Sequence, residues 1–229
     1  MSKNTTLHSV GLLSRPMSSA SISPFLNLIC IIRDIYPDAH VITVHDATSH
    51  IDGYFHKIKK TNFSEIVHYS GRNNIFRIFH YFITQTSISK IIMKGSKPCI
   101  WIFFIDNGYI LPMLINRMLG NKTIVIIGGN QKREVQLRGQ SIDMVAYSFA
   151  KVNLWLCTKI IVYSSNLISE WDLEKHRHKI LIAHEHFLDF STFTVTTPLA
   201  DRPPLIGYIG RLSGEKGVQH FAQALPAIL

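Results

Sequence analysis

Acidic residues are scarce in this chain: 15 Asp and Glu stand against 24 Lys and Arg in 229 residues, a formal charge of +9. That deficit calls for an anionic partner, whether nucleic acid, a phosphorylated small molecule or an acidic membrane surface, without choosing among them. Cysteine is scarce as well. The three, Cys30, Cys99 and Cys157, lie in or beside apolar runs and are odd in number. This excludes a secreted disulfide scaffold and reads as buried free thiols in a reducing cytosol. Long apolar runs are missing. The N-terminus, Met1 to Thr6, lacks the apolar core of a signal peptide, and the strongest span candidate, Cys99 to Ile115, is interrupted by Asp106, Asn107 and Gly108. Each half is too short to cross a bilayer, so a cytoplasmic protein is expected. No Asp-x-Asp motif argues for a metal ion. No Gly-x-Gly-x-x-Gly follows the first strand candidate, which counts against a dinucleotide-binding dehydrogenase. Internal repeats and low-complexity tracts are absent.

What is present is a globular core, with 46% hydrophobic and 17% charged residues. Apolar runs alternate with helical patterns. Strands are expected at Ser9 to Leu13, His40 to His45, Glu65 to Tyr69, Pro98 to Ile105, Lys122 to Ile127, Lys159 to Tyr163 and Lys179 to Ala183. Helices are expected from Ser23-Pro24 (an N-cap and first-turn proline) to Ile35, over Arg72 to Ser89, Gly108 to Leu119 with a stop at Gly120, Ile142 to Leu156, and Leu167 to Lys175. Strands that alternate with helices and are apolar along their length imply an α/β, Rossmann-like parallel sheet covered on both faces. Phe190 to Pro204 is rich in Thr and Pro and has little periodicity. The domain boundary is therefore set there: residues 1–197 as one domain, 198–204 as a linker, and 205–229 as the incomplete start of a second.

That second segment holds the most informative pattern. Pro204 to Gly210 reads as a short buried strand, Arg211-Leu212-Ser213-Gly214-Glu215-Lys216-Gly217 as a tight basic loop, and Val218 to Leu229 as the start of an amphipathic helix. Unpaired amides and the helix dipole favour an anion at such a helix N-terminus, and Arg211 and Lys216 add two positive charges. Taken alone, the pattern also fits a surface turn with a capping glycine and two solvated basic residues. Its place after the first strand of a new α/β unit favours phosphate, because ligands of open parallel sheets bind at the carboxyl ends of strands.

The string Ile206-Gly207-Tyr208-Ile209-Gly210-Arg211-Leu212-Ser213-Gly214-Glu215-Lys216-Gly217, followed by Phe221 and Ala224-Leu225-Pro226, resembles the family-4 retaining glycosyltransferases of the GT-B fold. Lys159-Ile160-Ile161-Val162-Tyr163-Ser164-Ser165 is similar to that family's strand ending in a serine that caps the next helix. The resemblance implies two Rossmann-like domains facing across a cleft, the first acceptor-side and the second binding a nucleotide-sugar donor. It implies sugar transfer, with retention, to a glycan, lipid-linked or small-molecule acceptor. No cofactor beyond the donor substrate, no metal and no nucleic-acid partner are implied. Gly210, Arg211, Lys216 and Gly217 would bind the donor diphosphate, whose growing negative charge in the transition state fixed cations stabilise. The family's glutamate pair and base-recognition residues would lie beyond Leu229, so no catalytic residue is assigned. The chain as given is expected to be an inactive fragment of the enzyme. The alternative is a non-catalytic, truncated glycosyltransferase-like binding module. Two departures stand out: Gly128-Gly129-Asn130 replaces a histidine that many members carry, and Ser14-Arg15-Pro16-Met17-Ser18-Ser19-Ala20 replaces the glycine pair after the first strand.

Other features have two readings each. Gly128 and Gly129, with Lys132 and Arg133, either line the acceptor side of the cleft or form a strand-ending turn before a solvated loop. His176, His178, His184 and His186 form two His-x-His pairs; a polar run at strand ends is preferred to a metal site, because no cysteine or carboxylate set completes one. His184 and Glu185 are candidates to line the cleft by position. Arg72 to Lys97 mixes basic residues with Ile75, Phe76, Phe79, Tyr81, Phe82 and Ile83. The preferred reading is a helix that buries its aromatics and solvates its charges. The other is peripheral contact with an anionic membrane at its cytoplasmic face.

Overall fold

In a computed structural model of the chain, the residues described are 9–17, 19–46, 62–69, 74–95, 99–105, 108–128, 141–183, 194, 196–210, 212 and 217–228. The chain divides into two compact units, Met1–His186 and Phe187–Leu229.

Strands and helices alternate through the first unit. The order is β1 (Ser9–Met17), α1 (Ser19–Ile35), β2 (His40–Asp46), β3 (Phe63–His68), α2 (Asn74–Lys94), β4 (Cys99–Phe104), α3 (Ile110–Met118), β5 (Lys122–Ile127), α4 (Ser141–Leu156), β6 (Lys159–Val162), α5 (Asn166–Glu170) and β7 (Ile180–Ile182). The seven strands form one sheet in the order β3-β2-β1-β4-β5-β6-β7, and every pairing is parallel. The α/β, Rossmann-like fold read from the sequence is the fold observed. From β1 the chain winds outward to β3, then crosses to β4 and winds outward the other way. Adjacent β1 and β4 therefore form the topological switch point.

Both faces of the sheet are buried, which is why its central strands read as continuous apolar runs. In β4, Trp101 and Phe103 join one core with Ile88 and Ile92 of α2, Met113 of α3 and Leu154 of α4. Ile102 and Phe104 join the other, beneath Ile22, Phe25 and Ile29 of α1. The Phe25 and Phe104 ring centroids are 5.1 Å apart. Each such fully buried side chain contributes about 1.5–3 kcal/mol relative to exposure.

Several expectations shift. Helix α1 begins at Ser19, so Pro24 lies inside it; the small residues before the proline extend the helix backwards, and only one backbone bond is lost. Helix α2 runs to Lys94 because Ile92 continues the inward stripe of Ile88. The helix expected over 167–175 ends at Glu170, where Asp172 takes a left-handed φ of 55°, and the chain continues as a 3₁₀ turn over Glu174–Lys179. Gly120, with φ 73°, follows α3 as expected. Cys99 and Cys157 are buried but Cys30 is exposed, against the expectation; it follows inward-facing Ile29 on α1 and so turns to solvent.

In the second unit, a short 3₁₀ turn (Leu199–Asp201) precedes α6 (Val218–Ile228). The strand expected over 205–210 is not formed among the described residues. A strand needs a neighbour for its backbone groups, and none is paired with it here. Leu205, Ile209 and Leu212 stay exposed as a result.

Candidate functional site

The carboxyl edge of the sheet at the switch point is built from strand ends that depart from regular geometry. In β1 the register against β2 slips between Leu13 and Pro16. Ser14 sits in that irregularity, fully buried, and its Oγ accepts the Val44 N–H at 2.8 Å. Ser14 thus closes the ladder locally and keeps the backbone polar group satisfied.

The loop after β4 carries two left-handed residues, Ile105 at φ 50° and Gly108 at φ 71°. For a β-branched residue this conformation costs free energy, and such outliers cluster where a loop is held in a required shape. The Tyr81 hydroxyl of α2 donates to the Gly108 carbonyl, and the Tyr81 and Tyr109 rings stack at 6.1 Å. At the end of β5, a Cβ on Gly128 would lie 3.1 Å from Tyr163 Cε2 and 3.2 Å from Ile105 Cδ1. Gly128 therefore lets the β4 and β6 ends close over it. Helices α1 and α3 both start at this edge, and their N-termini give it a positive electrostatic bias. Ile105, Gly108, Tyr81 and Tyr163 were not expected at the site. Only the Asp106-Asn107-Gly108 turn signal hinted at this loop in the sequence.

In the second unit, Gly217 has φ 69°, and its carbonyl accepts the N–H groups of His220 and Phe221 at 3.0 and 3.1 Å. It thereby opens α6 as a glycine-bounded helix start. A Cβ on Gly210 would lie 3.1 Å from the Tyr208 hydroxyl oxygen, and the Tyr208 and Phe221 rings meet at 5.4 Å. Tyr208, which precedes the basic loop, thus packs against α6. Arg211, Lys216, Gly129, His184 and Glu185 lie outside the described residues.

The first His-x-His pair does not converge. His176 is buried while His178, on the same 3₁₀ turn, is exposed. Burial first, then Lys179, Lys175 and His178, hold the His176 imidazole below its usual pKa, which disfavours the cation.

A cavity of about 510 Å³ opens at the opposite, amino edge, lined by Asp38, His40, Asn62, Ser64, Lys94 and Trp101 among others. His40 Nε2 and Ser64 Oγ are 3.0 Å apart, and burial, then Arg33, pushes the His40 pKa down. Helices α1 and α2 end at this edge with their carbonyls, the wrong polarity for a phosphate. The switch-point edge is the better match to an anionic ligand.

No known family's sequence profile matches the chain, and no curated protein matches it in sequence. Solved structures do match. A UDP-N-acetylglucosamine 2-epimerase superposes with a TM-score of 0.55 at 10% identity, covering 76% of this chain and 48% of that one. A UDP-glucose: anthocyanidin 3-O-glucosyltransferase in complex with UDP gives 0.51 at 13% identity, covering 78% and 52%. The likeness is one of fold. It shows a Rossmann-like α/β arrangement of the kind found in GT-B proteins. The chain spans about half the length of these two structures.

Proposed function

We propose that the chain carries the acceptor-side domain of a GT-B glycosyltransferase and the opening segment of its donor domain. The intact enzyme transfers a sugar from a nucleotide-sugar to a glycan, lipid-linked or small-molecule acceptor, with retention. The bond from the anomeric carbon to the diphosphate oxygen breaks, a bond from that carbon to the acceptor oxygen forms, and the acceptor hydroxyl's proton passes to the released diphosphate. Arg211 and Lys216 hold the departing diphosphate, where negative charge grows as the bond breaks. Gly210 and Gly217 bracket the loop that presents them. The observation that carries the reading is the helix start at left-handed Gly217, directly after the basic loop of the glycosyltransferase-like string and in a chain whose first unit has the fold of UDP-binding glycosyltransferases. No metal and no further cofactor enter this reading.

The test is UDP binding to the purified chain, followed by phosphorus NMR. Binding should broaden both diphosphate resonances. Arg211→Ala and Lys216→Ala should each weaken it by roughly tenfold, as loss of a charge-assisted hydrogen bond implies. Unchanged affinity in both variants would overturn the assignment.

A further inference from the structure

Helix α2 does not bury its phenylalanines. Ile75, Phe76, Ile78, Phe79, Phe82 and Ile83 are between 43% and 75% exposed, which corrects the expectation of a helix with its aromatics inside. The reason lies in the helical period. The inward stripe is supplied by Tyr81, Thr84, Gln85, Ile88, Ser89 and Ile92, which are buried or half-buried, and so the apolar residues of the first three turns fall on the other side. At 3.6 residues per turn they occupy an arc of roughly 160° and a length of about 12 Å. The patch extends onto the sheet edge. The ring of His80 lies 5.2 Å from Tyr69, 5.6 Å from Phe76 and 5.9 Å from Phe79, and Val67 and Tyr69 are exposed.

Charge identifies the occupant. The 21 residues of α2 contain no Asp or Glu, while Arg77, Lys90 and Lys94 are basic. Lys90 and Lys94 are exposed and fall on the same arc, about two and three turns beyond the apolar patch. A second copy of this chain would bring +9 against +9, and like charges disfavour that approach. An anionic bilayer supplies both what the aromatics need and what the lysines need. We propose that the outward face of α2 docks on an anionic lipid surface, with Phe76, Phe79 and Phe82 entering the acyl boundary and Lys90 and Lys94 meeting headgroups. The docking stands independently of the transferase reading.

Co-sedimentation of the full chain with lipid vesicles tests this. Vesicles of phosphatidylcholine with phosphatidylglycerol should bind at least about tenfold more tightly than phosphatidylcholine alone, and salt should weaken the binding. The Phe76→Ser/Phe79→Ser/Phe82→Ser variant should lose binding with an unchanged urea midpoint, since all three side chains are exposed. Lys90→Glu/Lys94→Glu should abolish the preference for phosphatidylglycerol. Should the triple variant fold poorly, Phe79→Trp serves in its place: vesicles should shift its tryptophan emission to the blue relative to the unsubstituted chain. No binding at low salt, full binding by a folded triple variant, or no emission shift overturns the proposal. So does a dimer that the triple variant dissolves without any vesicle binding, which would assign the face to a second copy.

Discussion

Trp101 occupies the space that a side chain on Gly11 would need. The two residues are register partners on β4 and β1, and a Cβ on Gly11 would fall 2.5 Å from Trp101 Cε3. On the far side of Gly11 stands its β2 partner, His40, whose ring centroid is 6.1 Å from that of Trp101. The indole thus lies over the glycine and reaches toward the neighbouring strand. Gly11→Ala should destabilise the chain by about 1–3 kcal/mol through overpacking, read as a lower urea midpoint. In a Trp101→Leu background the same change should cost clearly less, because the clashing ring is gone. Equal costs in both backgrounds would show that the glycine serves some other purpose.

Ser14→Ala removes the acceptor of the buried Val44 N–H. The unsatisfied donor should lower stability by about 1–3 kcal/mol, measured by chemical denaturation. Ser14→Gly should cost at least as much, since it also lacks the hydroxyl. A stable Ser14→Gly variant would mean that the β1 irregularity holds without its side chain.

Gly217→Ala places a Cβ on a residue at φ 69°. The left-handed conformation costs a non-glycine residue about 1–2 kcal/mol, so hydrogen exchange should speed up across the first turn of α6. Gly217→Asn should be milder, because asparagine visits that region more readily. Unaltered exchange in the alanine variant would remove Gly217 from the helix start.

Lower pH should destabilise the first unit. Burial depresses the His40 pKa, with Arg33 adding to it, and burial with neighbouring cations depresses that of His176. Both therefore bind fewer protons in the folded chain than in the unfolded one, whose histidines titrate near 6.5. The unfolded state binds more protons, so stability is fully present above the unfolded value and declines as pH falls below it. The urea midpoint should drop between pH 7 and about pH 5.5, and His40→Gln should flatten part of the slope. A midpoint that rises on acidification would contradict the sign.

Local pattern made much of this protein legible. The bounds of β5 match the apolar run Lys122–Ile127, Gly120 ends α3 as its position implied, and the alternation of elements dictated a parallel sheet because each strand needed a crossover. The helix start at Gly217 was legible for the same reason: glycine tolerates the conformation that others resist. Strand order was not. Nothing local says that β1 sits between β2 and β4, since that choice depends on how whole faces are covered. Neither the left-handed Ile105 nor the serine filling the β1 irregularity leaves a trace in residue type, because each is imposed by neighbours distant in sequence. Helix α2 shows the division most plainly. Its sequence supplied aromatics and basic residues on one segment; which of its faces turns inward was decided only by packing against β3, β4 and α3, and that left Phe76, Phe79 and Phe82 exposed.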